Sequence, residues 1–323
     1  MAKGKSTNGL MKHIRDNHNV RIVGSKAKKE LLQMGYYHGY KAYRYYKRSS
    51  NTFQINDFNE IKAIYDFDMN VKSLLYPYIM NIETAIKNYS IDTLVVLGDC
   101  SFDKVYENHL LYYRTKRVGS DKYQVEIKRR LNLRKKIQST IYYEYGNDNP
   151  VIKHFSHSGE PIPLWAIFEA ISFGTLGYFI QCLSVDERRK ISENIGVHHN
   201  QDRQAVTLYK HIYILKGLRN AIAHNNIVFD CRFSNNRIAD DILQHLSSEL
   251  QYVDFTCETI TDYVGIVLIY LKKIGFSKTE LKSLVRKYKL YIEKFKSEVP
   301  QSVSDRVLGT NINLKISSLE SYI

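Results

Sequence analysis

Five prolines and sixteen glycines are all that punctuate 323 residues. Sheet-built chains spend both residues heavily, because tight turns need the fixed φ of proline or the positive φ open to glycine. Their scarcity points to helices. Apolar residues recur at the matching period: Ile64, Phe67, Val71 and Leu74; Leu208, Ile212, Leu215 and Ile222; Ile260, Val264, Val267, Leu268 and Leu271. Asp57 with Glu60, Ser184 with Glu187 and Ser277 with Glu280 have capping-box spacing, and the last pair is expected to open the final helix. Pro77 is expected to kink or restart a helix, and Gly174 and Gly275 to end helices. No hairpin signature and no internal repeat is visible. The fold class is all-α, an irregular helical bundle.

The length suits one large domain or two small ones. Four segments are legible. Residues 1–53 hold a basic stretch, read as a flexible arm to about Asn19, and then a tyrosine-rich helical segment. Residues 54–98 are a helical segment packing on the core. Residues 99–161 are polar and basic, read as a helical insertion. Residues 162–323 are the helical core, in which Trp165, the only tryptophan, is expected to pack.

Lysine and arginine number 47 against 33 acidic residues, a net charge of +14. Such an excess calls for a polyanionic partner, nucleic acid or an anionic membrane surface. The longest uncharged apolar run, Tyr263 to Leu271, is about half of the roughly 20 residues a spanning helix needs. No basic start followed by an apolar stretch marks a secretory signal. Cys100, Cys182, Cys231 and Cys257 lie far apart, so a reducing cytoplasm is expected. His154 with His157 and His198 with His199 lack acidic or thiol partners at metal-binding spacing, and no phosphate-cradling glycine loop exists, so no metal and no cofactor is expected.

RNA is therefore the expected partner, with two groups of candidate contacts. In one, Lys41, Arg44, Lys47 and Arg48 interleave with six tyrosines between Tyr36 and Tyr46, a pattern that suits base stacking with phosphate neutralisation. Tyr36, Tyr40 and Tyr43 also share a helical face, which suits a core role equally. The other is the run Lys128, Arg129, Arg130, Arg134, Lys135 and Lys136.

The sharpest motif is Leu218-Arg219-Asn220-Ala221-Ile222-Ala223-His224-Asn225. Metal-free RNA cleavage needs a base for the ribose 2′-hydroxyl and a fixed cation for the charge growing on phosphate. Histidine and arginine suit these tasks. Arginine–histidine pairs at such spacing are expected about 1.7 times by chance in this composition, so the setting matters more than the spacing. The motif ends an apolar helix and puts Asn220 and His224 at i and i+4 on one face. Arg219 lies about 140° round the helix from His224. Both reach one phosphate only if the arginine bends round or a second copy faces the first.

Several pieces in order resemble the Abi-like (abortive infection) family of the HEPN superfamily: Met34-Gly35-Tyr36-Tyr37 through Tyr40, Ile64-Tyr65-Asp66-Phe67-Asp68, Ile82-Glu83, Pro163-Leu164-Trp165 through Glu169, Ser172-Phe173-Gly174, and Leu218-Arg219-Asn220 through Asn225. The resemblance implies a HEPN-type helical core and a metal-independent ribonuclease or RNA-binding toxin of prokaryotic anti-phage defence, leaving 2′,3′-cyclic phosphate ends. It implies a site carried by Arg219 and His224 at a two-fold homodimer interface, with Asn220 supporting them. Beside a plain packing role for the Trp165–Gly174 segment, the sharper reading puts Glu169 near the Arg219 guanidinium as an orienting carboxylate. The alternative is a non-catalytic protein that holds a structured regulatory RNA on the same cationic surface.

Overall fold

The computed structural model describes residues 4–96, 98, 101–234, 237–252 and 254–323, and among them the chain is all-α with isolated bridges but no sheet. In chain order come α1 (Thr7–His18), α2 (Gly24–Met34), a π-helical turn (Tyr36–Lys41), α3 (Phe58–Val96), α4 (Phe102–Asn108), a 3-10 turn (Tyr112–Thr115), α5 (Asp121–Gly146), α6 (Pro150–Ser158), α7 (Leu164–Ala170), α8 (Phe173–Cys182), α9 (Val185–Ile195), α10 (Thr207–Ala223), α11 (Asp240–Leu250), α12 (Ile260–Lys273), α13 (Lys278–Glu298), α14 (Gln301–Leu308) and α15 (Ile312–Tyr322). The chain forms two compact units. One draws on the chain up to Tyr78, on Leu218–Lys272 and on Phe276–Ile323; the other on Ile79–Gly217 and Lys273–Gly275. The sequence boundaries after residues 53, 98 and 161 fall between helices, whereas this division falls inside α3 and α10. Asp99, where the insertion was expected to begin, and Cys100 lie outside the described residues.

In the first unit the expected flexible arm is instead α1. Ser6 caps it, its hydroxyl accepting from the Gly9 N–H at 3.3 Å. Met11 and Ile14 are buried, and the His18 ring stacks on Tyr40 at 5.6 Å. One narrow stripe thus anchors an otherwise polar helix. The next turn is wide: the Tyr40 N–H donates to the Gly35 carbonyl, five residues back, at 2.9 Å. Gly39 permits it, since a Cβ there would lie 2.3 Å from the Met34 carbonyl oxygen. Tyr40 and Tyr43 are buried by this turn, which settles the core role for those two, while Tyr37 stays exposed. α3 does not restart at Pro77; it runs on, with Leu75 and Ile79 fully buried on either side. That burial outweighs the roughly 3 kcal/mol a proline costs a helix interior. The Asp57 carboxylate accepts from Asn59 N at 2.8 Å and Glu60 from Asn56 N at 3.2 Å, a reciprocal cap displaced by one residue. Phe67 stacks on Phe295 of α13 at 4.7 Å. The Ser277/Glu280 capping box opens α13, but two further helices follow it.

In the second unit, α5 turns Leu133 and Ile137 inward and packs on α7 and α8, where Phe168 meets Phe179 edge-on at 4.9 Å. The helix break expected at Gly174 comes earlier. Ile171 is extended, and the Ser172 hydroxyl caps α8 by accepting from Thr175 N at 3.2 Å. Gly174 and Gly177 lie inside α8 and admit Lys216 and Tyr213, whose atoms would be 2.9 and 2.8 Å from an added Cβ. Trp165 is not core: it is 47% exposed, with its ring 6.2 Å from Phe155. Arg188 heads the large, fully buried side chains among the described residues. Its Nε donates to the Ile180 carbonyl at 3.2 Å and its Nη atoms to those of Gln181 and Gln204, while its plane stacks on Tyr112 at 3.8 Å. It therefore satisfies the carbonyls that α8 leaves open at its end.

Candidate active site

α10 carries the Arg219–His224 motif, and both of its ends are fixed by side-chain chemistry. At its start the Asp202 carboxylate accepts from Val206 N at 2.8 Å and Thr207 N at 2.9 Å. Burial pushes this acid up, but those amide bonds, with the Thr207 hydroxyl, hold it below the usual carboxylate range. At its end Asn225 is left-handed, with φ 53°. Asn225 N donates to Ile222 O at 3.2 Å and Asn226 N to Ala221 O at 2.7 Å. This is the Schellman pattern, with asparagine where glycine is commoner. His224 is thus the last residue before the reversal, and it is exposed.

Arg219 is half-buried. Its Nη1 donates to Asn220 Oδ1 at 3.4 Å, and Asn220 stands one turn before His224.

The segment after His224 is held from α3 by residues to which the sequence reading gave no role. Asp68 is fully buried. Its Oδ1 accepts from Val228 N and Phe229 N, both at 2.7 Å, and its Oδ2 from the Tyr43 hydroxyl at 2.6 Å and Lys72 Nζ at 2.8 Å. Burial, and next the Asp68 charge, push the Tyr43 hydroxyl far above its usual range, so it remains a donor. Lys72 in turn donates to Asn225 Oδ1 at 2.7 Å and Asn226 O at 3.4 Å. Asp230, also buried, accepts from Lys47 N at 2.5 Å and Arg232 Nη2 at 2.7 Å. Arg232 continues to the Ala42 and Tyr45 carbonyls at 3.2 and 3.0 Å. An aspartate and a lysine four apart, interrupting the apolar stripe of α3, are the signal that could have found this anchor.

The remaining candidates divide. Glu169 is exposed on α7 and belongs to the second unit, Arg219 to the first. Lys41 is exposed over the Tyr37 ring at 5.5 Å, Arg44 is half-buried, Lys47 pairs with Glu258 at 3.6 Å, and Arg48 is exposed. The His13 ring lies 5.0 Å from that of His18, whose pKa is lowered by burial and then by the charges of Arg44, His13 and Lys41. On α5, Lys128, Arg134, Lys135 and Lys136 are exposed. Arg129 is paired with Glu126, and Arg130 donates to the Tyr106 carbonyl at 2.6 Å while stacking on its ring at 3.7 Å. Among the described residues no group of histidine, cysteine and acidic side chains has metal-binding geometry, and no helix is long and apolar enough to cross a membrane.

A family model described as Abi-like protein matches residues 29–230, a span that encloses the π-turn, Asp68, Lys72 and the whole Arg219–Asp230 stretch. No curated protein and no solved structure matches the chain.

Proposed function

The chain belongs to the Abi-like protein family, and on that premise we propose that it is a metal-independent endoribonuclease of HEPN type acting in abortive infection, in the cytoplasm of a phage-attacked cell. The observation that carries this reading is the Arg219 guanidinium turned onto Asn220, one turn from His224. On this reading the cation and the amide act together with the imidazole at a fixed helix end. His224 takes the proton from the ribose 2′-hydroxyl, whose oxygen attacks the adjacent phosphorus. Arg219 neutralises the pentacoordinate phosphate. The 5′-oxygen leaves as it takes a proton from water or from the imidazolium of a second copy, and the other fragment keeps a 2′,3′-cyclic phosphate. Asn220 orients Arg219 and donates to phosphate. A second copy facing the first across a two-fold axis would double the motif and line a cleft for one strand. The exposed Lys41, Arg48, Lys128, Arg134, Lys135 and Lys136 supply sequence-independent phosphate contacts.

The test is cleavage of total cellular RNA by the purified protein, with fragment ends sequenced and oligomeric state read by ultracentrifugation. His224→Ala and Arg219→Ala should each slow cleavage at least about a hundredfold, the range for losing a general base or a charge-stabilising donor. A chelator should change nothing. Full activity in His224→Ala, or chelator-sensitive cleavage, refutes the mechanism. RNA held but never cut by the wild type favours the binding-only alternative.

A further inference from the structure

The end of a helix that carries His224 is electrostatically the wrong end for an anion. Carbonyl dipoles give it partial negative charge, which opposes a phosphate. Part of that difficulty is removed by the turn itself, since Asn225 N and Asn226 N occupy the Ile222 and Ala221 carbonyls, and Lys72 reaches the Asn226 carbonyl at 3.4 Å. What remains must come from side-chain donors. Two asparagine amides flank His224, and each has its oxygen committed to a cation: Asn220 to Arg219 at 3.4 Å, Asn225 to Lys72 at 2.7 Å. A primary amide has one acceptor oxygen and two N–H donors. With the oxygens engaged, these amides offer donors.

The Asn225 arrangement is the firmer of the two. Lys72 is buried and cannot swing into water, because wholly buried Asp68 holds its ammonium at 2.8 Å. Asp68 is itself fixed by two backbone N–H groups and the Tyr43 hydroxyl. The lysine thus presses on one face of the Asn225 amide while the residue is exposed on the other. A glycine would satisfy the left-handed backbone at this position with less strain, so the side chain is what asparagine adds here.

We propose that Asn225 is a phosphate-binding residue of the site, its amide nitrogen donating to an oxygen of a ribose-linked phosphate, with Lys72 and Asp68 as positioning residues that fix its orientation. The assignment rests on reading Arg219 and His224 as the site of RNA cleavage.

The experiment titrates each of the four nucleoside 3′-monophosphates, with adenosine as the phosphate-free control, into the full-length protein. Calorimetry gives the Kd, and the Asn225 side-chain amide signals are followed by NMR. Asn225→Gly keeps the helix end, since glycine accepts φ 53°, and removes only the amide. It should raise Kd about tenfold or more, the size of one hydrogen bond to a charged group. Lys72→Met should raise Kd similarly, and the double variant should be no weaker than Asn225→Gly alone, which loss of general packing would not produce. Movement of the Asn225 amide signals with phosphate but not with adenosine supports the assignment. A Kd within about twofold of wild type in Asn225→Gly, effects of the two substitutions that multiply, or no binding of any of the four nucleotides overturns it. Should Lys72→Met fail to fold, Asn225→Gly decides alone. Asn225-dependent binding in a protein that cuts no RNA refutes the ribonuclease reading and leaves this assignment standing; RNA cleavage with no dependence on Asn225 does the reverse.

Discussion

Replacing Asp68 by asparagine removes one charge and one acceptor from the middle of the anchor. The amide oxygen still serves Val228 N and Phe229 N, which donate to Oδ1 at 2.7 Å. Its NH2 group then stands where Oδ2 accepted from the Tyr43 hydroxyl and Lys72. The hydroxyl can rotate and become an acceptor. The Lys72 ammonium cannot, and it is left buried without its counter-charge. Breaking a buried pair in this way costs about 3–5 kcal/mol. The loss is local to the segment that Asp68 and Lys72 hold, so it should appear first as opening of residues 225–232. At about 1.4 kcal/mol per factor of ten, even ~3 kcal/mol speeds amide exchange there by about a hundredfold. Hydrogen exchange with mass spectrometry of Asp68→Asn, read on peptides covering 225–232 and on α13 peptides as internal control, measures it. Exchange of 225–232 within about threefold of wild type, at equal protection of α13, would show that these bonds do not hold the segment.

Two other substitutions probe the frame around the motif. Asp202 has a lowered pKa because the Val206 and Thr207 amides outweigh its burial, so its stabilisation is present above the unfolded value near 3.9 and is lost as pH falls through the lower folded one. Asp202→Asn should therefore cost about 1 kcal/mol at pH 7, and its urea midpoint should converge on the wild type below about pH 4; a gap that widens on acidification contradicts the sign. Arg188→Lys keeps the charge but not the planar fork that reaches the carbonyls of Ile180, Gln181 and Gln204 and stacks on Tyr112. The fluorescence transition of Trp165, in the same unit, should lose at least about 2 kcal/mol, and an unchanged midpoint would mean that a point charge suffices.

Helices with broad apolar stripes and clear caps were legible: α10, α12 and the Ser184 and Ser277 capping boxes stand where periodicity put them. α1 was not, because only Met11 and Ile14 face inward and the rest of the stretch is polar. Gly174 misled for a related reason. A glycine inside a helix and one that ends it look alike in sequence, and only Lys216, forty-two residues on, explains this one. Arg219, Asn220 and His224 are legible as candidates because they are neighbours along the chain. The Asp68–Lys72 hold on Asn225 joins residues more than 150 positions apart, and single-sequence periodicity carries no information about such pairs.

The π-helical turn at Tyr36–Lys41 makes the length of that segment part of the Asp68 anchor. An α-turn over the same stretch would need one residue fewer, and each residue gained or lost rotates everything after it by about 100°. A single-residue deletion between Gly35 and Lys41, harmless in an ordinary loop, would swing Tyr43 away from Asp68 Oδ2 and carry Tyr40 off the His18 ring. In a family alignment, the insertion or deletion state of this turn would thus bear on the anchor of residues 225–229 as directly as the identity of residue 68.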